Sequence, residues 1–152
     1  TSKDNFINSL SISCYSFTRI AKKFQPILNS GGSLVTLSFH GASKVMPNYN
    51  VMGVAKAALE TSVKYLSVDF GDQNVRVNAI SAGPMRTLAG AAIANARDVF
   101  NYTSENSSLK RNVNLDELGN SAVYLVSDLS SSITGEIHYV DCGFNIVGMP
   151  KS

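Results

Sequence analysis

No stretch of the 152 residues approaches the ~20 consecutive apolar positions that a membrane-crossing helix needs. No signal peptide opens the chain. Blocks of like charge are missing as well. Thirteen Lys and Arg against eleven Asp and Glu leave a net charge of +2 with no basic stripe, which argues against nucleic-acid binding. The two cysteines, Cys14 and Cys142, are far apart and lack metal-ligand spacing, so two reduced thiols are expected and no metal site. His40 and His138 are not spaced for a metal either. There is no G-x-S-x-G to present a nucleophilic serine and no P-loop. The eleven glycines form no G-x-G-x-x-G, the turn whose backbone N–H groups would hold a dinucleotide pyrophosphate at a helix N-terminus.

What is present is a tyrosine and a lysine seven residues apart, Tyr49 and Lys56, in a run that reads as one amphipathic helix from Pro47 to Glu60. Seven residues is nearly two helical turns, so phenol and ammonium leave the same face. A fixed cation beside a phenol of intrinsic pKa ~10 stabilises the phenolate and brings its acidity toward neutrality. A reductase needs this pair beside a nicotinamide ring: a proton donor, and a positive group that also holds ribose hydroxyls. A surface tyrosine and a solvated lysine would give the same spacing, so the flanking segments have to decide.

Upstream, residues 33–39 form a short apolar, β-branched run suited to a buried parallel strand. Downstream, residues 75–81 read as a second strand, stopped by Ala82-Gly83-Pro84, and residues 135–141 as a third. Apolar positions Phe6, Ile7, Leu10, Phe17, Ile20, Ala21 and Phe24 place a helix over 3–28, ended by Asn29-Ser30-Gly31-Gly32. Further helices are expected over 50–70, ended by Gly71, over 88–101, and from a capping box at Asn114-Leu115-Asp116-Glu117 to about Val126. The acids of that box are explained by the cap and the helix dipole. Thr103 to Ser108 is expected to be a mobile polar segment, and the sequons at Asn101 and Asn106 to be chance matches within it. In open α/β sheets ligands bind beyond the carboxyl ends of strands, where Ser38, Tyr49 and Gly83 would gather.

Tyr49-x6-Lys56, together with Asn78-Ala79-Ile80-Ser81-Ala82-Gly83-Pro84-Met85-Arg86-Thr87, resembles the NADH-dependent enoyl-acyl carrier protein reductases, a divergent branch of the short-chain dehydrogenase/reductases. The resemblance runs on through Gly119-Asn120-Ser121-Ala122, Ser127-Asp128-Leu129-Ser130, Ile133-Thr134-Gly135-Glu136 and Val140-Asp141-Cys142-Gly143-Phe144. Ordinary members of the superfamily use Tyr-x3-Lys, and here Met52 stands four before Lys56. The chain is thereby identified as the C-terminal part, residues 1–152, of a single α/β domain. That domain would be a Rossmann-like doubly wound parallel sheet with helices on both faces, its glycine-rich cofactor half lying outside this chain.

The resemblance implies NADH-dependent reduction of the trans-2 double bond of enoyl thioesters carried on acyl carrier protein. Tyr49 would stabilise or protonate the enolate and Lys56 would hold the nicotinamide ribose. At matching positions the Met85 backbone would meet the nicotinamide carboxamide and Thr87 would donate to pyrophosphate, with Arg86, Leu88 and Ala89 as adjacent lining. Residues 88–110 would form a flap over the acyl chain, Ala89, Ala91, Ala92, Ile93 and Ala94 its small apolar wall. A homotetramer in a bacterial cytoplasm is also implied. Where the family commonly has a second tyrosine, ten residues before the first, this chain has Phe39, so no hydroxyl acts there. The neighbouring His40 is expected to be a loop residue without catalytic work. Three alternatives stay open: a carbonyl reductase of the ketoacyl type, which would want Tyr-x3-Lys; a non-catalytic interaction fragment; and a small, complete three-layer domain.

Overall fold

A computed structural model describes residues 1–87 and 96–149. Helix α1, Lys3–Leu10, is capped by the Ser2 hydroxyl, which accepts from the Asn5 N–H. It runs on through a π turn, Ser11–Tyr15, into α2, Ser16–Phe24. The wider turn lies against the central helix, where Ser13 Oγ reaches Met52 Sδ at 3.8 Å and Cys14 Sγ lies 3.5 Å from Ser62 Oγ. The helix stops short of the expected Leu28 because Pro26 lacks an N–H; a 3-10 turn, Gln25–Ile27, follows.

Three strands make one parallel sheet: β1, Ser33–Phe39; β2, Arg76–Ala82; β3, Ile137–Val140, in the order β1-β2-β3. All three fall where the sequence places strands. The third is shorter than expected because Gly135 turns with φ 74° and Asp141 opens a side-chain-held turn. Between β1 and β2 runs α3, Asn50–Asp69, with Ala55, Leu59, Val63 and Leu66 buried in one stripe at helical spacing. The helix ends just before Gly71, as expected; Gly71 begins a 3-10 turn, and Asn74 (φ 55°) leads the chain into β2.

Every residue of β2 is buried, and its alternating side chains feed two cores. Val77 and Ala79 join Ala21, Val63, Leu66 and Phe70 on the α2–α3 face. Ile80 and Ala82 join Leu118 and Leu125 on the other face, under α5, Leu115–Val126. Helices therefore cover both faces of a parallel sheet, the architecture the sequence implies.

The polar residues of β2 are internal ties. The Arg76 guanidinium donates to the carbonyls of Leu125 and Ser127 and to Ser130 Oγ, closing the C-terminus of α5. The Asn78 amide donates to the Ile133 carbonyl at 2.9 Å and accepts the Glu136 N–H at 3.0 Å. At the other end of α5 the expected capping box is complete, Asn114 accepting the Glu117 N–H and Glu117 accepting the Asn114 N–H. Arg111 grips the same Glu117 carboxylate with both nitrogens, at 2.6 and 2.8 Å, and this pairing holds Glu117 down to a pKa of about 2.

One expectation is overturned. Thr103 to Ser108 is ordered: α4, Ala96–Asn106, runs through most of it, and Thr103 and Ser107 are fully buried. Their hydroxyls are used internally, Thr103 donating to the Val99 carbonyl and Ser107 to the Arg111 carbonyl. The polar composition that suggested mobility comes from hydroxyls turned inward and satisfied.

Candidate active site

The carboxyl ends of β1 and β2 lie side by side, Phe39 in register with Ala82. Tyr49 reaches this edge through a tight turn. Its N–H bonds the Met46 carbonyl at 3.2 Å across Pro47 and Asn48, and Asn48 takes φ 60°. Proline followed by an asparagine with positive φ is the chemistry of a type II turn. Tyr49 is thus the residue before the helix rather than within it, and its carbonyl accepts the Gly53 N–H at 2.7 Å.

Two glycines let the loop after β1 close onto this turn. A Cβ on Gly41 would overlap the Tyr49 ring, and one on Gly53 would stand 2.8 Å from the Gly41 carbonyl oxygen. The Tyr49 ring meets Phe39 edge-to-face, with centroids 5.0 Å apart. Two turns along the helix, Lys56 Nζ donates to the Leu37 carbonyl at 2.7 Å. Phenol and ammonium thus rest on positions two apart on one strand, and the structure brings both expected residues to the same edge.

Their electrostatics differ from the sequence expectation. Burial pushes the Tyr49 phenol above its usual pKa, and Lys56 is not among the causes of the shift. A lone desolvated phenol favours its neutral form, so Tyr49 remains a hydrogen-bond donor at neutral pH. Burial pulls the Lys56 ammonium down, and the Glu60 carboxylate opposes that pull. Ser38, expected at the ligand edge, is buried and turned toward α3, its Oγ donating to Glu60 Oε1 at 2.5 Å.

Beyond β2, Gly83 is buried, its N–H on the Val140 carbonyl, and a Cβ there would stand 3.1 Å from Asp141 Cα. Met85 packs its side chain on the core under α5, and its carbonyl accepts the Thr87 N–H at 3.0 Å. Arg86 places its guanidinium 4.9 Å from the Phe100 ring centre on α4. Leu88 and Ala89, with the rest of the expected apolar wall, lie outside the described residues. Met85, Arg86 and Thr87 therefore follow from the strand end next to that of Tyr49 and Lys56, with local contacts of their own.

His40 is buried rather than a free loop residue. Its ring meets Phe144 at 5.2 Å, and Tyr102 of α4 meets Phe144 at 6.2 Å. Sequence reasoning missed Gly41, Gly53 and Glu60. Glu60 alone carried a signal, standing one helical turn beyond Lys56 on the same face. A phenol hydroxyl, an ammonium with two further N–H groups and a turn beyond Gly83 suit the hydroxyl-rich nicotinamide–ribose end of a dinucleotide.

A family model described as enoyl-(acyl carrier protein) reductase matches residues 1–145. The chain is 57% identical over 150 residues to enoyl-[acyl-carrier-protein] reductase [NADH] 2 of Rhizobium meliloti, covering 99% of this chain and 56% of that protein. It is 54% identical to the enoyl-[acyl-carrier-protein] reductase [NADH] FabI of Rickettsia typhi, over 99% of this chain and 58% of the relative. Among solved structures, FabI from Candidatus Liberibacter asiaticus superposes with a TM-score of 0.96 at 56% identity, over 99% of this chain and 58% of that one. The reductase of Anaplasma phagocytophilum, solved in complex with NAD, gives 0.95 at 56% identity, over 100% and 58%. The chain thus spans little more than half the length of the relatives it matches.

Proposed function

The chain belongs to the enoyl-(acyl carrier protein) reductase family, and from that premise we propose that it is the C-terminal part of a single Rossmann-like domain that reduces enoyl thioesters on acyl carrier protein with NADH. The observation that carries this reading is the placement of Tyr49 and Lys56 on Phe39 and Leu37 of one strand end.

When bound, the reduced nicotinamide supplies a hydride to the β carbon of the trans-2-enoyl group. Negative charge then gathers on the thioester oxygen. Tyr49, kept neutral by burial, donates a hydrogen bond to that oxygen and can pass on its proton. Lys56 spends one of its three N–H groups on Leu37 and offers the others to ribose hydroxyls. The Met85 backbone would receive the carboxamide and Thr87 would donate to pyrophosphate, with Arg86 as adjacent lining. The half-exposed Leu37 and the outer edge of β1 support a sheet that continues beyond these three strands.

A ketoacyl-type reductase is disfavoured, because the position four before Lys56 is Met52, whose sulfur accepts a hydrogen bond from Ser13. A homotetramer in the bacterial cytoplasm belongs to the same proposal, supported by exposed Ile12, Ile20, Phe24, Tyr65 and Val68 on the helices of one face. The test is direct. Purified intact protein is expected to oxidise NADH with a crotonyl-type thioester and to sediment as a tetramer; no turnover would remove the reading.

A further inference from the structure

Two adjacent residues of β1 hold two residues of α3 that stand one helical turn apart. The Leu37 carbonyl accepts from Lys56 Nζ, and the Ser38 hydroxyl donates to the Glu60 carboxylate at 2.5 Å. Strand backbone, hydroxyl, carboxylate, helix turn and ammonium close into one loop across the strand–helix contact. We infer that Glu60, fixed by Ser38, is a positioning residue for Lys56, holding its ammonium at the carboxyl edge of the sheet. This rests on the functional reading above and adds to it a residue that does not itself touch the substrate.

Ser38 is 5% exposed, so its hydroxyl needs a partner, and in taking Glu60 it sets the carboxylate against the sheet. The only close ion pair among the described residues is Arg111–Glu117, so Glu60 acts on Lys56 through space. That distance has a use: the ammonium feels the negative field yet keeps its N–H groups for Leu37 and for ribose oxygens. Burial alone would drive Lys56 toward its neutral form, and among the described residues Glu60 counters it. From β1 the ammonium meets the Leu37 carbonyl, and Ser38 beside it meets Glu60. Of the groups on the loop after β1, buried His40 has its pKa lowered.

The experiment uses intact protein with 13Cε-labelled lysine, the Lys56 resonance being assigned by its loss in Lys56→Arg. In Glu60→Gln the Lys56 titration is expected to move to lower pH. The NADH dissociation constant is expected to rise about two- to fivefold, the scale of a through-space charge pair, with the increase growing toward alkaline pH. Ser38→Ala leaves the carboxylate in place but untied, and should move the titration in the same direction by less. It decides the matter if Glu60→Gln does not fold. A purely structural role for Glu60 would lower thermal stability and leave the Lys56 titration in place. An unchanged titration in the folded variants overturns the inference. A wild type that binds no NADH overturns the functional reading instead, while the titration still decides the role of Glu60.

Discussion

The rings of Phe39 and Tyr49 meet edge-to-face, 5.0 Å between centroids and 65° between planes. Phe39 has no hydroxyl, so that position acts on the phenol through packing alone. An edge-to-face pair is worth roughly 0.5–1.5 kcal/mol beyond its buried area, enough to hold one ring orientation at a site where a misplaced donor costs rate.

Removing the Tyr49 hydroxyl tests the donor without disturbing that packing. Tyr49→Phe is expected to lower turnover about 100-fold or more, the usual cost of losing a transition-state hydrogen-bond donor or proton source. NADH affinity should change little. Lys56→Ala should do the reverse and chiefly weaken cofactor binding. Steady-state kinetics and fluorescence titration of both variants check the division, and two variants indistinguishable from wild type would refute the site.

Gly53 sets two effects against each other. Alanine favours a helix over glycine by roughly 1 kcal/mol. Here its Cβ would stand 2.8 Å from the Gly41 carbonyl oxygen, a backbone atom that cannot swing aside. Overpacking costs about 1–3 kcal/mol, so Gly53→Ala should be net destabilising and should lower turnover by shifting Tyr49. Chemical denaturation and kcat measured together test this; a more stable, fully active variant would contradict it.

Arg76 is a buried cation with no carboxylate, satisfied by two carbonyls and a hydroxyl at the end of α5. Arg76→Met keeps much of the volume but removes three charge-assisted hydrogen bonds, while the Leu125 carbonyl keeps the Ser33 hydroxyl and the Ser127 carbonyl keeps Ser130 as donors. Hydrogen bonds to charged groups are worth about 1.5–3 kcal/mol, so a loss of about 2 kcal/mol is expected in a urea unfolding curve. Catalysis per folded molecule should be nearly unchanged.

His40 makes stability depend on pH. Burial is the main cause that lowers its pKa, Lys44 adding to it and Asp141 opposing. Between its folded pKa and the ordinary value of about 6.5 the unfolded chain binds more protons than the folded one. Stability should therefore be full above that ordinary value, fall as pH drops through it, and level off below the folded pKa. His40→Phe, which keeps an aromatic ring against Phe144, should flatten this slope in thermal melts from pH 7 to pH 5.

The three strands, the two large helices and the capping box at Asn114 were readable from local pattern, because each depends on neighbours within a few residues: apolar period, Pro26, Gly83-Pro84, Asn114 with Glu117. Tyr49 and Lys56 were readable as a pair because both lie within two turns of one helix start. The errors were of another kind. Thr103 and Ser107 looked like loop polarity, His40 like a loop histidine, and Tyr49 like a phenol acidified by its lysine. Each was decided by burial, which depends on residues far along the chain: the Cys142 carbonyl that takes the Leu109 N–H, Phe144 against His40, and the desolvated edge of β1 around Tyr49.

The order of residues alone therefore determined which elements form, where they stop and which family motif they carry, since hydrogen-bond period, proline and side-chain capping act over a turn or two of chain. Only the tertiary structure decided that Glu60 stands behind Lys56 through Ser38, that Gly41 and Gly53 make room for Tyr49, and that the phenol is held neutral. Those outcomes depend on how much water remains around a group and what lies across the strand–helix contact. Neither exists until the sheet has paired and α3 has packed onto it.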